Sequence, residues 1–163
     1  MNTEAFNTKQ KHVFIQAYSN IIEVENVLKI ITTKSISEVE VTVLGKLEDT
    51  SNHKDSLELA IQNKKLYFKK LLGLPNFFGS FRNPEIGVVY IAGALVPIFL
   101  HDVGGKPLAI MSSGPHGILR GIGVNEKQAT KFLEKLKNGQ LLIILRGPKK
   151  EIDSTTSLLA HLQ

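Results

Sequence analysis

The chain has 163 residues, 42% of them apolar and 21% charged, with 13 glycines and neither cysteine nor tryptophan. That length suits one domain, 1–163, and the apolar fraction together with a mean hydropathy near zero excludes a disordered chain. The lack of cysteine excludes a disulfide scaffold, a thiolate nucleophile, a redox CxxC pair and Cys-ligated zinc. The formal charge is +5, and its excess is local: Lys54 to Arg82 holds six basic residues against Asp55 and Glu58. Such a run suits phosphates, anionic lipid or an acidic protein surface, and equally an ordinary solvated helix face.

Residues 1–10 are a polar lead without the apolar core of a signal peptide, which points to the cytoplasm. His12 to Ala17 reads as a strand with apolar residues on both sides, and so as a central one. Asn20 and Glu23 form a capping box ahead of a helix whose Ile21, Val24, Leu28 and Ile31 share one stripe, closed by Thr32, Thr33 and Ser35. Ser37 to Gly45 alternates strictly, Val39, Val41 and Val43 against Glu38, Glu40 and Thr42, which predicts a strand with one dry and one wet face.

These elements make a β-α-β half over 12–45. A basic helical insertion over 46–85 follows, with a helix over 56–72 whose stripe of Leu57, Ile61, Phe68 and Leu72 is interrupted by Lys64. Gly73, Pro75 and Gly79 end it, and Phe77, Phe78 and Phe81 fall in the loop.

The second half, 86–146, opens with a buried strand from Gly87 to Leu95. The uncharged run from Ile86 to Leu100 is 15 residues and ends at His101-Asp102, short of the roughly 20 a membrane span needs. Residues 94–111 fit helix or strand equally, with Pro97 allowed in a helical first turn or on an edge. Ser112 to Gly123 is a glycine-punctuated loop. Asn125 then caps a helix, with Gln128 completing the box, carrying Ala129, Phe132, Leu133 and Leu136 and stopped by Asn138-Gly139. Gln140 to Arg146 is the last strand. In the tail, 147–163, Ile152, Leu158, Leu159 and Leu162 form a short amphipathic helix. The economical assembly is α+β: a ferredoxin-like βαβ-βαβ sandwich, four antiparallel strands with two core helices on one face, plus the helical insertion and the C-terminal helical tail.

Chemistry-bearing patterns are sparse. The 112–123 segment has glycines to bring backbone N–H groups onto an anion and Arg120 to add charge, but lacks the Gly-Lys-Ser/Thr of a P-loop and the GxGxxG of a dinucleotide fold. Close glycine packing explains it as well. The five histidines, His12, His53, His101, His116 and His161, show no HxxxH or HExxH spacing. No serine lies in a Gly-x-Ser-x-Gly elbow, and neither Asp49 nor Asp102 has a partner carboxylate in sequence. Val13 to Tyr18 has some character of an RNA-binding strand, yet only Tyr90 is available for stacking on the third strand, which argues against nucleic acid.

The pattern HVFIQAYSNIIEVENVLKIITTKSISEVEVTVLG, followed late by GILRGIGVNEKQATKFLEKLKNGQLLIIL, resembles the bacterial general-stress, heat-induced proteins. Gly121-Ile122-Gly123-Val124-Asn125-Glu126 and Lys137-Asn138-Gly139 occupy the family's helix start and helix end, and Ile86 to Gly93 is similar to its apolar strand. The resemblance covers about residues 12–146. It implies a ferredoxin-like fold and a stress-linked role, and carries over no catalytic residue.

The expected function is therefore a non-enzymatic cytoplasmic module acting through self-association or an unidentified protein partner, with Lys64, Lys65, Lys69 and Lys70 as a docking patch. The alternatives are a sensor of a small anion or apolar molecule, held between Gly114, His116, Gly117 and Arg120 and the phenylalanines Phe77, Phe78 and Phe81, or peripheral membrane contact through 64–81. No catalytic residue, cofactor or metal is expected.

Overall fold

The computed structural model describes residues 10–33, 38–48, 54–73 and 77–161. The first strand, β1 (Lys11–Tyr18), leads into α1 (Ile21–Thr33). Asn20 Oδ1 accepts the Glu23 N–H at 3.0 Å, while the Glu23 carboxylate takes the N–H of Ser19, one residue further back than a capping box requires. Val24, Val27, Leu28 and Ile31 form its buried stripe. The strand β2 (Glu40–Lys46) follows, then α2 (Lys54–Leu72), the hairpin β3 (Phe78–Asn83) and β4 (Gly87–Gly93), and the short α3 (Val96–Phe99). After it come a two-residue ribbon, β5 (Asp102–Val103) with β6 (Lys106–Pro107), and a 3-10 turn, Leu108–Ile110. The chain continues through α4 (Gly114–Gly121), α5 (Glu126–Lys137), β7 (Leu141–Pro148) and α6 (Lys149–Ala160).

The main sheet has five strands in the order β1-β7-β2-β4-β3, every neighbouring pair antiparallel. Strand β7 lies between β1 and β2, which therefore run parallel to each other; β2 in turn lies between β7 and β4. Five strands replace the expected four because the supposed phenylalanine loop extends into β3.

Helices cover both faces rather than one. On one face α1, α2 and α6 bury Val43, Val88, Tyr90, Ile143 and Leu145. On the other, α3, the 3-10 turn, α4 and α5 bury Leu44, Val89, Ile91, Leu142 and Ile144. Each such side chain, fully removed from water, contributes about 1.5–3 kcal/mol. Within the 46–85 segment, α2 is therefore part of one wall of the core and β3 part of the sheet, and residues 149–160 dock Ile152, Thr155 and Leu159 onto the sheet instead of trailing as a tail.

Three further expectations change for the same reason. Among the described residues β1 is an edge strand, paired only with β7; its apolar residues on both sides reflect the two helical layers that flank it. The expected wet face of β2 is dry at its centre: Glu38 is exposed and Glu40 half-buried, but Thr42 is buried, and its hydroxyl accepts the Leu95 N–H at 3.0 Å. Lys64 interrupts the α2 stripe because its ammonium lies 5.6 Å from the centroid of the buried Tyr90 ring. That ring crosses Gly45 on the next strand, where any Cβ would collide with it. Burial pushes the Tyr90 hydroxyl pKa up.

The ambiguity over 94–111 resolves into a helical turn with Pro97 at its start, the ribbon and the 3-10 turn. The end of α5 follows expectation: Gly139, at φ +96°, donates to Leu136 O and Gln140 N–H to Lys135 O, both at 3.0 Å, a Schellman closure. Residues 1–9, Ser35, Ser37, Asp49, His53, Pro75 and Leu162 lie outside the described residues.

Thr42→Val keeps the volume but removes the acceptor for Leu95 N–H. A loss of about 1–3 kcal/mol is expected in urea denaturation, the cost of a buried unpaired donor; an unchanged midpoint would disprove the role of this bond.

Candidate binding site

The segment singled out for its glycines is shaped by Asn83, which is buried and has both ends of its amide occupied. Its Nδ2 donates to Ala109 O at 2.9 Å and Met111 O at 3.0 Å, and its Oδ1 accepts from the N–H groups of Glu85 and Ile86. This clamp holds the 3-10 turn against the start of β4. The chain then enters α4 at Gly114, where a Cβ would collide with the Leu108 carbonyl oxygen. Residues 112–123 are thus mainly a helix with Pro115 in its first turn, not a loop.

Ile118 and Leu119 face the core, whereas Gly117 and Gly121 have open space where a Cβ would stand. Gly114, Gly117 and Gly121 consequently form one wall of a groove of about 540 Å³, with Ile98, Leu108, Met111 and Ile122 as its apolar sides and Arg146 from β7 at its margin. Arg146 Nη1 is 3.7 Å from Glu40 Oε2, while Glu40 Oε1 is held at 2.6 Å by Lys11. The Arg146 Nε is buried and has no hydrogen-bond partner. A charge shared this loosely keeps capacity for a second anion.

The other expected ligand residues do not converge here. His116 lines a separate cleft of about 300 Å³ with Glu85, Ser112, Thr130, Glu134 and Lys137, its Nε2 lying 3.4 Å from Thr130 Oγ1. Arg120 donates to Val124 O at 3.4 Å, across the turn into α5. Phe81 is core, stacked on Phe99 with centroids 6.0 Å apart. Phe78 stacks on Tyr90 on the opposite face of the sheet, and with Phe77, Lys65 and Lys69 it lines a third groove of about 300 Å³. Strand alternation separates Phe78 from Phe81: three residues apart in a strand, they face opposite ways.

Of the lysine patch, Lys65, Lys69 and Lys70 are exposed along α2, and Lys64 is drawn onto Tyr90. Arg146 was missed because it ends an otherwise apolar strand and reads there as a boundary residue. Its signal is visible only through the register that sets it opposite both Val13 and Glu40.

Among the described residues no group of three or more His, Asp or Glu side chains is placed to hold a metal, and no helix is long and apolar enough to cross a membrane. Neither sheet face is open for base stacking, and Tyr90 is buried under Lys64. Tyr67 donates to Glu25 at 3.1 Å, and a hydrogen bond from Lys29 first, then Tyr67, holds the Glu25 pKa below its ordinary value. That pair ties α1 to α2 at the surface. No family model, curated protein or solved structure matches the chain.

Gly114 and Gly117 separate packing from site. Gly114→Ala is expected to lose more than about 2 kcal/mol, because backbone must move. Gly117→Ala meets nothing and gains up to about 1 kcal/mol of helix propensity. Equal effects in parallel melts would contradict the open wall.

Proposed function

We propose that this protein is a cytoplasmic interaction module whose working surface is the free edge of β1, which takes a strand from a second copy of the chain. One observation carries the reading: β1 runs eight residues in regular register with β7, has no partner strand on its other side among the described residues, and carries no acidic or basic charge from Val13 to Tyr18. Such an edge offers a row of N–H and C=O groups to another chain. With helices over both sheet faces, association through an open face has no surface to use.

The register follows from the faces. Val13, Ile15 and Ala17 pack with one layer, Phe14 and Tyr18 with the other. An antiparallel pair related by a two-fold axis keeps those faces matched when a residue meets its own copy. Placing Ile15 on the axis sets Val13 against Ala17, Phe14 against Gln16 and His12 against Tyr18, and keeps the two Lys11 ammonium groups at opposite ends. The result is one continuous ten-stranded sheet.

The interlocked β-α-β units, each bracketing a strand of the other, are the ground for relating the fold to a ferredoxin-like sandwich. The stress-linked role rests on the sequence resemblance alone.

Sedimentation velocity tests the edge. A dimer is expected at about 100 μM, and Gln16→Lys, which sets two like charges diagonally across the axis, shifts it to monomer. A wild-type chain that stays monomeric, or a dimer indifferent to Gln16→Lys, overturns the reading.

A second reading, a small-ligand sensor, is favoured by the α4 groove, whose apolar walls and loosely satisfied Arg146 suit an apolar chain bearing a carboxylate. Calorimetric titration is expected to show a medium-chain fatty carboxylate binding in preference to the matching alcohol, with Arg146→Ala abolishing that preference. Equal binding of both, or of neither, removes the groove from consideration.

A further inference from the structure

From Glu58 to Glu85 the chain has no acidic residue between the two, while Lys64, Lys65, Lys69, Lys70 and Arg82 fall within that stretch. The structure lays the four lysines along the C-terminal half of α2, with Arg82 on β3, and sets bulky apolar side chains beside them. Leu59 is 62% exposed, Leu66 64% and Phe77 58%, three of the large hydrophobic side chains most open to water. Leu59 and Leu66 are seven residues apart, two helical turns on one face. Leu66 is bracketed in sequence by Lys65, Lys69 and Lys70, and Phe77, next to the start of β3, lines one groove with Lys65 and Lys69. Asp55 and Glu58 sit at the other end of the helix, in or next to its first turn, where they complement its dipole and leave the basic half undiluted.

We infer that this end of α2, with Phe77, docks on an anionic phospholipid surface, Leu66 and Phe77 entering the interface and Lys65, Lys69 and Lys70 reaching the headgroups. Two features favour a bilayer over a protein partner. The positive charge here is supplied by lysine ammonium groups on long flexible stems, which suit a diffuse sheet of headgroups; protein interface cores are depleted in lysine. The apolar groups are separate anchors ringed by charge, the arrangement of a peripheral amphipathic helix. The surface lies on the sheet face opposite the α4 groove and beside β4 and β3, at the other end of the strand order from β1, so it is independent of both readings above.

The test is co-sedimentation of the full chain with vesicles of phosphatidylcholine alone and of phosphatidylcholine mixed with phosphatidylserine, at low and high salt. Binding is expected only to the mixed vesicles and only at low salt. Each lysine is worth about fivefold in partition, so Lys69→Glu with Lys70→Glu lowers binding by more than about tenfold. Leu66→Gln with Phe77→Gln lowers it too and leaves the salt dependence in place. All four positions are exposed, and circular dichroism checks that the variants fold. No sedimentation with phosphatidylserine vesicles at low salt overturns the proposal. So does equal binding to polyglutamate or duplex DNA with no effect of the Leu66/Phe77 substitutions, which would leave a site for polyanions in general.

Discussion

Strand β7 inserts between β1 and β2, and almost everything else in the molecule depends on that insertion. Strands β1 and β2, linked through α1, are joined by residues 141–148 from far along the chain, which pair with both, from Lys11↔Pro148 to Tyr18↔Leu141 on one side and from Glu40↔Arg146 to Leu44↔Leu142 on the other. In that position Leu142 and Ile144 meet α4 and α5, and Ile143 and Leu145 meet α1 and α6. Contacts so distant in sequence make closure of this sheet entropically expensive and slow relative to its local helices.

The insertion also sets where the protein meets its surroundings. Because β7 satisfies one side of β1, the other side is a free edge among the described residues, eight residues long. Because β7 carries Arg146 two residues before its end, a guanidinium arrives at the margin of a groove whose wall is glycine, with Glu40 already engaged by Lys11. The lysine and leucine face of α2 belongs to the outer side of the other layer. Edge, groove and basic face are three surfaces of one scaffold, and their independence follows from the sheet that separates them.

Close approach accounts for most of the internal detail. Gly45 admits the Tyr90 ring, Gly93 admits the Val41 carbonyl, and Gly114 admits the Leu108 carbonyl. Tyr90, stacked on Phe78, with the tilted Phe68 ring beside it and Lys64 over it, is the reason a lysine is found in the middle of an apolar stripe. Asn83 and Thr42 are the polar counterparts: each is buried, and each ties a loop backbone to the sheet with its hydrogen bonds satisfied.

Local order was legible in the amino-acid sequence alone. The helix starts at Asn20 and Asn125, the stop at Gly139, the stripes of α1 and α5 and the apolar runs of β4 and β7 all follow from capping chemistry and periodicity, which act over a few residues. The fifth strand, the second helical layer, the edge position of β1 and the groove beside Arg146 were decided by tertiary structure. Periodicity records which side of an element is apolar and not what covers it, so Thr42 looked wet and β1 looked central. Glycines spaced three and four apart fit a loop as readily as a helix until a neighbouring carbonyl at Leu108 requires the missing Cβ. Pairing partners more than a hundred residues apart, such as Lys11 and Pro148, leave no mark in either segment taken by itself, because the interaction that selects them is made only when the sheet closes.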